Sequence, residues 1–220
     1  MNRLLFEKTG NGVWISHLDL MRLFQRAFKR GGLNLKHTQG FSPRAVVSIA
    51  LPLSVGVESK CEILDYELVG QEDLPFEEIK TRLNATMPAG IRVLDVYDSD
   101  AKLKHLSHLS CTITLEYDNG IPQGAEENII ALFRRESLVV EKRGKNGPVE
   151  QDIIPMIRSV SLSRLTQQEL RLDCVIAAQN PTLNPAQLVA AIEGYCPECK
   201  PDFAKICRNE VLKTDGKVFR

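Results

Sequence analysis

The sequence predicts an α+β protein made of two ferredoxin-like halves in tandem, each with the element order β-α-β-β-α-β, an antiparallel sheet and helices on one face. Along the 220 residues, apolar stretches that favour strands alternate with stretches of helical periodicity. Within each half, neighbouring strand-like stretches follow one another across turns that contain Gly or Pro, which favours antiparallel pairing. The alternation starts again after residues 99–109, which we interpret as a linker. The predicted domains are therefore residues 1–98 and 109–220.

In the first half, residues 3–7 form a predicted strand, and Ser16 begins a helix that runs to Arg30 and stops at Gly31-Gly32. The Asp19 carboxylate is expected to accept from the Ser16 amide, as in a capping box. Four apolar residues recur at helical spacing and are predicted to face the core: Leu20, Phe24, Ala27 and Phe28. The rest of this half is predicted to contain strands over residues 45–51, 61–69 and 91–97 and a helix over residues 75–87.

The second half repeats this alternation of strands and helices. Asn184 and Pro185 suit the cap and the first position of a helix, which predicts a helix start there. The turn over residues 144–148 is expected to join its two flanking strands directly. The predicted strands cover residues 111–117, 138–143, 153–162, 170–178 and 203–212, and the predicted helices cover residues 125–136 and 184–194.

The charge balance excludes two classes of protein. There are 28 Lys and Arg residues against 28 Asp and Glu residues, so a histone-like chain and an acidic tail are both excluded. No apolar run approaches the roughly 18 residues of a membrane helix, and the apolar stretch near the N-terminus is too short for a signal peptide. We therefore expect a cytoplasmic protein without a membrane partner, whose six cysteines are thiols.

A local excess of positive charge is the most informative feature of the sequence. Residues 20–57 contain no Asp or Glu, although the whole chain is balanced. Such a window indicates either a phosphate-binding surface or a solvated basic helix face. The same window contains His37 and six cations: Arg22, Arg26, Lys29, Arg30, Lys36 and Arg44.

A second candidate site is the loop over residues 38–44, which has the sequence Thr-Gln-Gly-Phe-Ser-Pro-Arg. Ser42 and Arg44 are able to contact an anion, while Gln39 and Phe41 are able to contact a base or a protein partner. The alternative is a structural turn with a buried Phe41. The predicted substrate- or anion-binding residues are therefore Arg22, Arg26, Arg30, Gln39, Phe41, Ser42 and Arg44.

Two further groups are weaker candidates for chemistry. His17 has a side chain that titrates near neutral pH and suits acid–base catalysis, but it also fits a packing role at the helix start. Cys196 and Cys199 form a CxxC motif with Cys207 nearby, yet no His is close in sequence, so we predict that zinc is bound weakly or not at all. The chain has no Walker A, GxGxxG, HExxH or GxSxG motif, and we expect no cofactor.

Three segments resemble the radical SAM-linked protein family, a bacterial domain without an assigned activity. They are residues 16–22 (Ser-His-Leu-Asp-Leu-Met-Arg), 40–43 (Gly-Phe-Ser-Pro) and 51–59 (Leu-Pro-Leu-Ser-Val-Gly-Val-Glu-Ser). Residues 152–157 also resemble a family segment, which more often has Arg at the place of Ile154. The resemblance implies a radical-SAM protein as fusion partner or genetic neighbour, and genes for ribonuclease G and ribosomal proteins nearby.

The tandem ferredoxin-like prediction also resembles CRISPR repeat-processing endoribonucleases, but residues 195–220 contain only Gly216 where those enzymes have a Gly-rich loop. We therefore expect a non-catalytic partner module of a radical-SAM enzyme that binds RNA, such as tRNA or rRNA, or a nucleotide-like substrate. One alternative is an RNA-processing or RNA-modifying enzyme that uses His17. Another is a protein–protein adaptor that docks through residues 39–44.

Overall fold

The computed structural model describes residues 2–144 and 147–220, which form two compact units. The first unit extends to Leu103 and includes Arg220, and the second covers Lys104 to Phe219. Together the described residues contain four α-helices and ten strands, and the strands form mostly antiparallel sheets. The predicted α+β class is therefore confirmed. Of the described helices, none is long and apolar enough to span a lipid bilayer.

The first unit contains an antiparallel sheet and two helices. Its elements are β1 (Asn2–Lys8), α1 (His17–Arg30), β2 (Val47–Ile49), β3 (Glu58–Tyr66), α2 (Phe76–Asn84) and β4 (Ile91–Asp98). The strand order is β4-β1-β3-β2, so the first and third strands lie at the centre of the sheet.

Helix α1 packs on the sheet through the four apolar residues that its periodicity selects. Leu20, Phe24, Ala27 and Phe28 are all buried, as predicted. The rings of Phe24 and Phe6 meet edge to face, with 4.7 Å between their centroids, and join the helix to β1. The opposite face of α1 stays in solvent and carries its cations.

Ser16 caps α1, although its hydrogen bonds differ from the expected ones. The Asp19 amide donates to Ser16 Oγ at 3.2 Å, and the Ser16 hydroxyl donates to the Asp19 carboxylate at 2.7 Å. Asp19 therefore accepts from Ser16, through the side-chain hydroxyl where the backbone amide was expected to donate. The helix ends at Arg30 beside Gly31 and Gly32, as predicted.

The second unit also contains an antiparallel sheet, a separate two-stranded hairpin and two helices. Its elements are β5 (Leu106–Glu116), α3 (Ala125–Leu132), β6 (Val139–Gly144), β7 (Gly147–Asp152), β8 (Ile157–Arg164), β9 (Glu169–Ala177), α4 (Ala186–Tyr195) and β10 (Phe203–Lys213). The sheet has the order β10-β5-β9-β8, and β6 pairs with β7 in the hairpin.

The hairpin corrects the predicted pairing in the second unit. The strand over residues 138–143 was expected to pair with the strand after the turn, but β6 pairs with β7, a strand that was not predicted. β8 instead pairs with β9. β7 was missed because its sequence, Gly-Pro-Val-Glu-Gln-Asp, is polar and exposed and lacks apolar alternation. Residues 145 and 146 of the predicted turn lie outside the described residues.

Several element ends also differ from their predicted positions. β5 begins at Leu106, inside the predicted linker, because its first residues pair with β10. β2 is shorter than expected because the Val46 amide donates to the Lys36 carbonyl at 2.7 Å, which draws residues 45–46 toward the chain after α1. α2 ends at Asn84, whose side chain forms two hydrogen bonds with the Val93 backbone. α3 ends at Leu132 rather than at residue 136.

A buried ion pair fixes the middle of the first sheet. Arg3 on β1 donates to the carboxylate of Asp65 on β3 through Nε at 2.6 Å and Nη2 at 3.0 Å. The same guanidinium donates to Ser99 Oγ and to the Ala101 carbonyl, each at 3.0 Å. Both charged side chains are buried, so each depends on the other for its stability.

Candidate nucleic-acid interface

A groove with a volume of about 640 Å³ runs along the polar face of α1. One wall consists of α1 residues spaced i, i+3, i+4 and i+7, and the other is the chain that follows the helix. The volume falls in the range of about 300–1,000 Å³ that small-molecule sites occupy. We call this feature the α1 groove; it is lined by Arg22, Gln25, Arg26, Lys29, Leu33, Asn34, Leu35, His37 and Ala45.

The wall opposite α1 is held by backbone pairing with residues that follow β3. The Lys36 amide donates to the Glu67 carbonyl at 2.8 Å, and the Val69 amide donates to the Asn34 carbonyl at 2.9 Å. Leu33 is buried and anchors the start of this wall in the core. The groove therefore exposes aliphatic carbon, amide groups and cations to a ligand. Backbone hydrogen bonds fix the position of the wall that faces α1.

Three of the six cations in residues 20–57 have partners within the first unit. Arg22 Nη1 lies 3.0 Å from the Asp19 carboxylate, and Lys36 Nζ lies 2.7 Å from that of Glu67. Arg30 Nη2 donates to the Thr86 carbonyl at 3.2 Å. Since both ion pairs are exposed to solvent, each contributes little to stability.

The pKa values of two of these paired groups move in the direction that favours their charged forms. The Ser16 hydroxyl, followed by the Arg22 guanidinium, lowers the pKa of Asp19. The hydrogen bond to Glu67 raises the pKa of Lys36. Both pairs are therefore charged at neutral pH and neutralise part of the local field.

The other three cations, Arg26, Lys29 and Arg44, form no ion pair with any carboxylate in residues 2–144 and 147–220. Arg26 acts on Asp19 only through longer-range attraction. All three side chains are exposed, and two of them line the α1 groove. The groove therefore keeps a net positive charge.

The nearby acids that could neutralise this field are paired elsewhere. Asp65 binds Arg3 in the core of the first unit. On α2, Glu77 pairs with Lys80 at 3.0 Å, and Glu78 pairs with Arg82. Glu67 is the exception among these acids, because it forms an ion pair with Lys36 of residues 20–57.

The loop over residues 38–44, which we call the Phe41 loop, starts and ends beside the α1 groove. The Thr38 amide donates to the Arg44 carbonyl at 2.8 Å, and the Arg44 amide donates to Thr38 Oγ1 at 3.0 Å. His37 and Ala45, which flank the loop and form a bridge, both line the groove. Phe41 is fully exposed, so the alternative of a structural turn with a buried Phe41 was wrong.

The other predicted residues of the Phe41 loop lie in solvent as well. Gln39, Ser42 and Arg44 are all exposed, and none of them lines the groove. Gly40 has a φ of 133°, a backbone conformation that L side chains rarely adopt. The structure therefore brings the residues that flank the loop to the groove, while the loop residues themselves do not line it.

Arg30 belongs to a different cavity on the other side of the polar face of α1. This cavity has a volume of about 650 Å³ and is bounded by the start of α1 and by the turn after α2. Arg22 and Arg26 line both cavities, whereas Lys29 lines only the α1 groove. The second cavity is lined by Ile15, Asp19, Arg22, Leu23, Arg26, Arg30, Thr86, Met87 and Pro88.

His17 occupies the first position of α1 and is half-buried. It lines neither the α1 groove nor the second cavity. Within the part of the chain that the structure describes, no side chain hydrogen bonds to its ring. This position fits the predicted packing role at the helix start.

The CxxC cysteines flank a short 3₁₀ turn after α4. Cys196 and Cys199 are buried thiols, and burial raises the pKa of both. Cys207 lies on β10, opposite Thr112 of β5. In residues 2–144 and 147–220, no three His, Cys, Asp or Glu side chains form a group suited to a metal ion. A raised pKa makes these thiols poor nucleophiles at neutral pH.

Sequence reasoning missed part of the groove. Gln25 shares the helix face of Arg22 and Arg26, so a count at i+3 and i+4 would have selected it. Lys29 was named among the cations of residues 20–57 but was left out of the predicted binding residues, although it lines the groove. Asn34 and Leu35 line the other wall because of their pairing with residues 67–69, which no local pattern indicates.

Comparison with solved structures finds matches with little sequence identity. One is a chain from the "Crystal Structure of a Cbf5-Nop10-Gar1 Complex", with 8% identity, a TM-score of 0.52, and coverage of 96% of this chain and 48% of that chain. This protein thus spans about half the length of that chain. A second is an unknown protein from Galdieria sulphuraria, with 12% identity, a TM-score of 0.26, and coverage of 96% of this chain and 97% of that chain.

Sequence comparison gives the family. No curated protein matches the chain. Residues 2–185 match the model of a family described as "Uncharacterized protein conserved in bacteria (DUF2344)", and the CxxC motif lies beyond the matched residues. Because this match covers most of the 220 residues, the protein is a member of that bacterial family.

Proposed function

We propose that this protein is a non-catalytic RNA-binding module that presents its RNA to a radical-SAM enzyme. The observation that carries the proposal is the concentration of three unpaired cations, Arg26, Lys29 and Arg44, at the α1 groove and the Phe41 loop. A phosphate chain suits such a surface, because each contact releases counterions and the contributions multiply.

Structural roles account for only part of this charge. Lys29 and Arg30 lie in the last turn of α1, where cations stabilise the helix dipole by about 0.3–1 kcal/mol each. Arg26 lies a turn earlier and Arg44 lies outside the helix, so the dipole explains neither of them. The folded unit therefore gains little from these two charges, whereas a bound polyanion would gain from both.

The groove chemistry suits binding rather than reaction. Its lining supplies cations, two amide side chains and aliphatic carbon, groups that position a ligand. His37, the titratable ring in the lining, has its Nδ1 atom 3.0 Å from the Leu35 carbonyl. The radical-SAM partner rests on the sequence resemblance alone and needs its own test.

We also propose that the two units are tandem ferredoxin-like domains. In the first, the sheet order is fourth, first, third, second strand. The second has the same order when the β6–β7 hairpin is treated as an insertion between α3 and β8. This shared strand order supports the split β-α-β arrangement in both units.

The RNA proposal is tested by fluorescence anisotropy with labelled RNA at about 100 mM salt. The triple variant Arg26→Ala/Lys29→Ala/Arg44→Ala is expected to bind at least about tenfold more weakly than the wild type, since it loses three phosphate contacts. The matched control, Arg92→Ala/Arg134→Ala/Lys205→Ala, removes three exposed cations outside the site and should bind as the wild type does. Equal loss in both variants would mean that only net charge matters.

The alternative of a protein adaptor is favoured by a different surface. Trp14, in the 3₁₀ turn before α1, is 70% exposed, and Leu18, in the first turn of α1, is 67% exposed. Neither residue lines the α1 groove. Co-purification of a radical-SAM protein that survives the triple cation variant but is lost in Trp14→Ala would support the adaptor function. The alternative of an enzyme that uses His17 predicts that the isolated protein alters RNA and that His17→Ala abolishes this activity.

A further inference from the structure

We infer that the α1 groove and the Phe41 loop together select unpaired RNA over duplex RNA. This inference rests on the proposed RNA binding and concerns the same surface. It follows from the placement of one aromatic ring relative to the cations, and it names the class of substrate.

The first step is the accessibility of Phe41. Its ring is fully exposed to solvent. Two hydrogen bonds between Thr38 and Arg44 join the ends of the loop that carries it. An exposed aromatic ring stacks on the face of a nucleic-acid base. In a duplex the base faces are covered by their neighbours, whereas in a single strand they are accessible.

The second step is the separation between the ring and the groove. Phe41 is exposed and does not line the α1 groove, whereas Arg26 and Lys29 do. A ligand that contacts both must therefore place phosphates in the groove and present an accessible base face outside it. A flexible single strand meets this requirement, whereas the base faces of a duplex are covered by stacking.

The third step is the chemistry beside the ring. Arg44 is exposed in the same loop and is placed to contact a phosphate next to the stacked base. Stacking on phenylalanine tolerates every base, because each base has a π-face. We therefore expect the affinity to depend on the pairing state of the RNA more than on its sequence.

The test uses a labelled RNA of about 12 nucleotides without self-complementarity, within the usual site size of single-strand binders, and the same strand annealed to its complement. The wild type is expected to bind the single strand at least about tenfold more tightly than the duplex. Phe41→Ala should weaken single-strand binding about tenfold, which equals about 1.4 kcal/mol, and should leave duplex binding unchanged.

Two variants control for other effects of the substitution. Phe41→Tyr keeps an aromatic ring and should retain the preference for the single strand. Phe203→Ala removes another exposed phenylalanine, 59% exposed on β10, and should have no effect. Circular dichroism of each variant checks that the fold is unchanged.

The outcomes separate this inference from the proposal on which it rests. Equal affinity for both RNAs, or a Phe41→Ala variant that binds the single strand as the wild type does, would overturn the inference while RNA binding stands. If neither RNA binds, the proposed function fails and the inference falls with it. A single-strand preference that Phe41→Ala abolishes and Phe41→Tyr keeps would support both.

Discussion

The buried ion pair between Arg3 and Asp65 gives a prediction whose size follows from the structure. Asp65→Ala removes two hydrogen bonds from the guanidinium, at 2.6 and 3.0 Å, and leaves a buried cation without its counter-charge. At about 1.5–3 kcal/mol for each bond to a charged group, the loss is about 3–6 kcal/mol. Breaking one side of a buried pair typically costs about 3–5 kcal/mol, in agreement with this figure.

The assay is urea unfolding followed by circular dichroism, with the free energy of unfolding extrapolated to zero denaturant. The matched control is Glu77→Ala, which breaks the exposed Glu77–Lys80 pair and is expected to cost at most about 1 kcal/mol. The double variant Arg3→Met/Asp65→Leu should recover most of the stability, since apolar side chains of similar volume replace the pair. If Asp65→Ala costs no more than Glu77→Ala, the account of this pair is wrong.

Four further predictions concern the core, pH, the reactivity of the thiols and zinc content. Phe24→Ala should lower the free energy of unfolding by about 3–5 kcal/mol in the same assay, because a fully buried ring is lost. Since the native pKa of Asp19 is lowered, its stabilising effect should be complete above its ordinary value and fall away as the pH drops below it. The urea midpoints of wild type and Asp19→Asn should therefore converge in acid. Cys196 and Cys199 should react with iodoacetamide far more slowly than free cysteine at pH near 7.5, measured by mass spectrometry, because burial raises their pKa. Elemental analysis should find less than one zinc per chain, and one tightly held zinc lost in Cys196→Ser would contradict this.

Helix α1 shows what the sequence predicts well. Its start at Ser16, its end at Gly31 and its buried face all follow from neighbouring residues, because capping and helical periodicity are local. The basic face could be predicted for the same reason. Even here the donor to the Asp19 carboxylate differs from the prediction, because the Ser16 hydroxyl donates where the amide was expected.

The failures occur where an element depends on backbone pairing that no apolar pattern indicates. β7 is defined by its hairpin pairing with the neighbouring β6, and its polar sequence gives no strand signal. The α1 groove exists because residues 34–36 pair with residues 67–69, about thirty residues away. The sequence thus indicated the cations but not the wall that turns a basic face into a groove.

The placement of Arg30 illustrates the same limit. On a helical wheel it is close to Arg26, and both were predicted to bind one anion. In the folded unit, the Thr86 carbonyl accepts from Arg30, which lines the second cavity together with Arg26 but does not line the α1 groove. Which cavity a helix residue lines depends on the chain that packs beside it, and helical spacing does not reveal this.

The most direct test of RNA binding at the α1 groove is the salt dependence of affinity for single-stranded RNA. The logarithm of the binding constant should fall linearly with the logarithm of the salt concentration in the wild type, with a slope of about −0.7 for each phosphate contact. The Arg26→Ala/Lys29→Ala/Arg44→Ala variant should have a slope smaller in magnitude by about 2, since it lacks three contacts. Wild-type binding that does not vary with salt, or an identical slope in the variant, would contradict RNA binding at this surface.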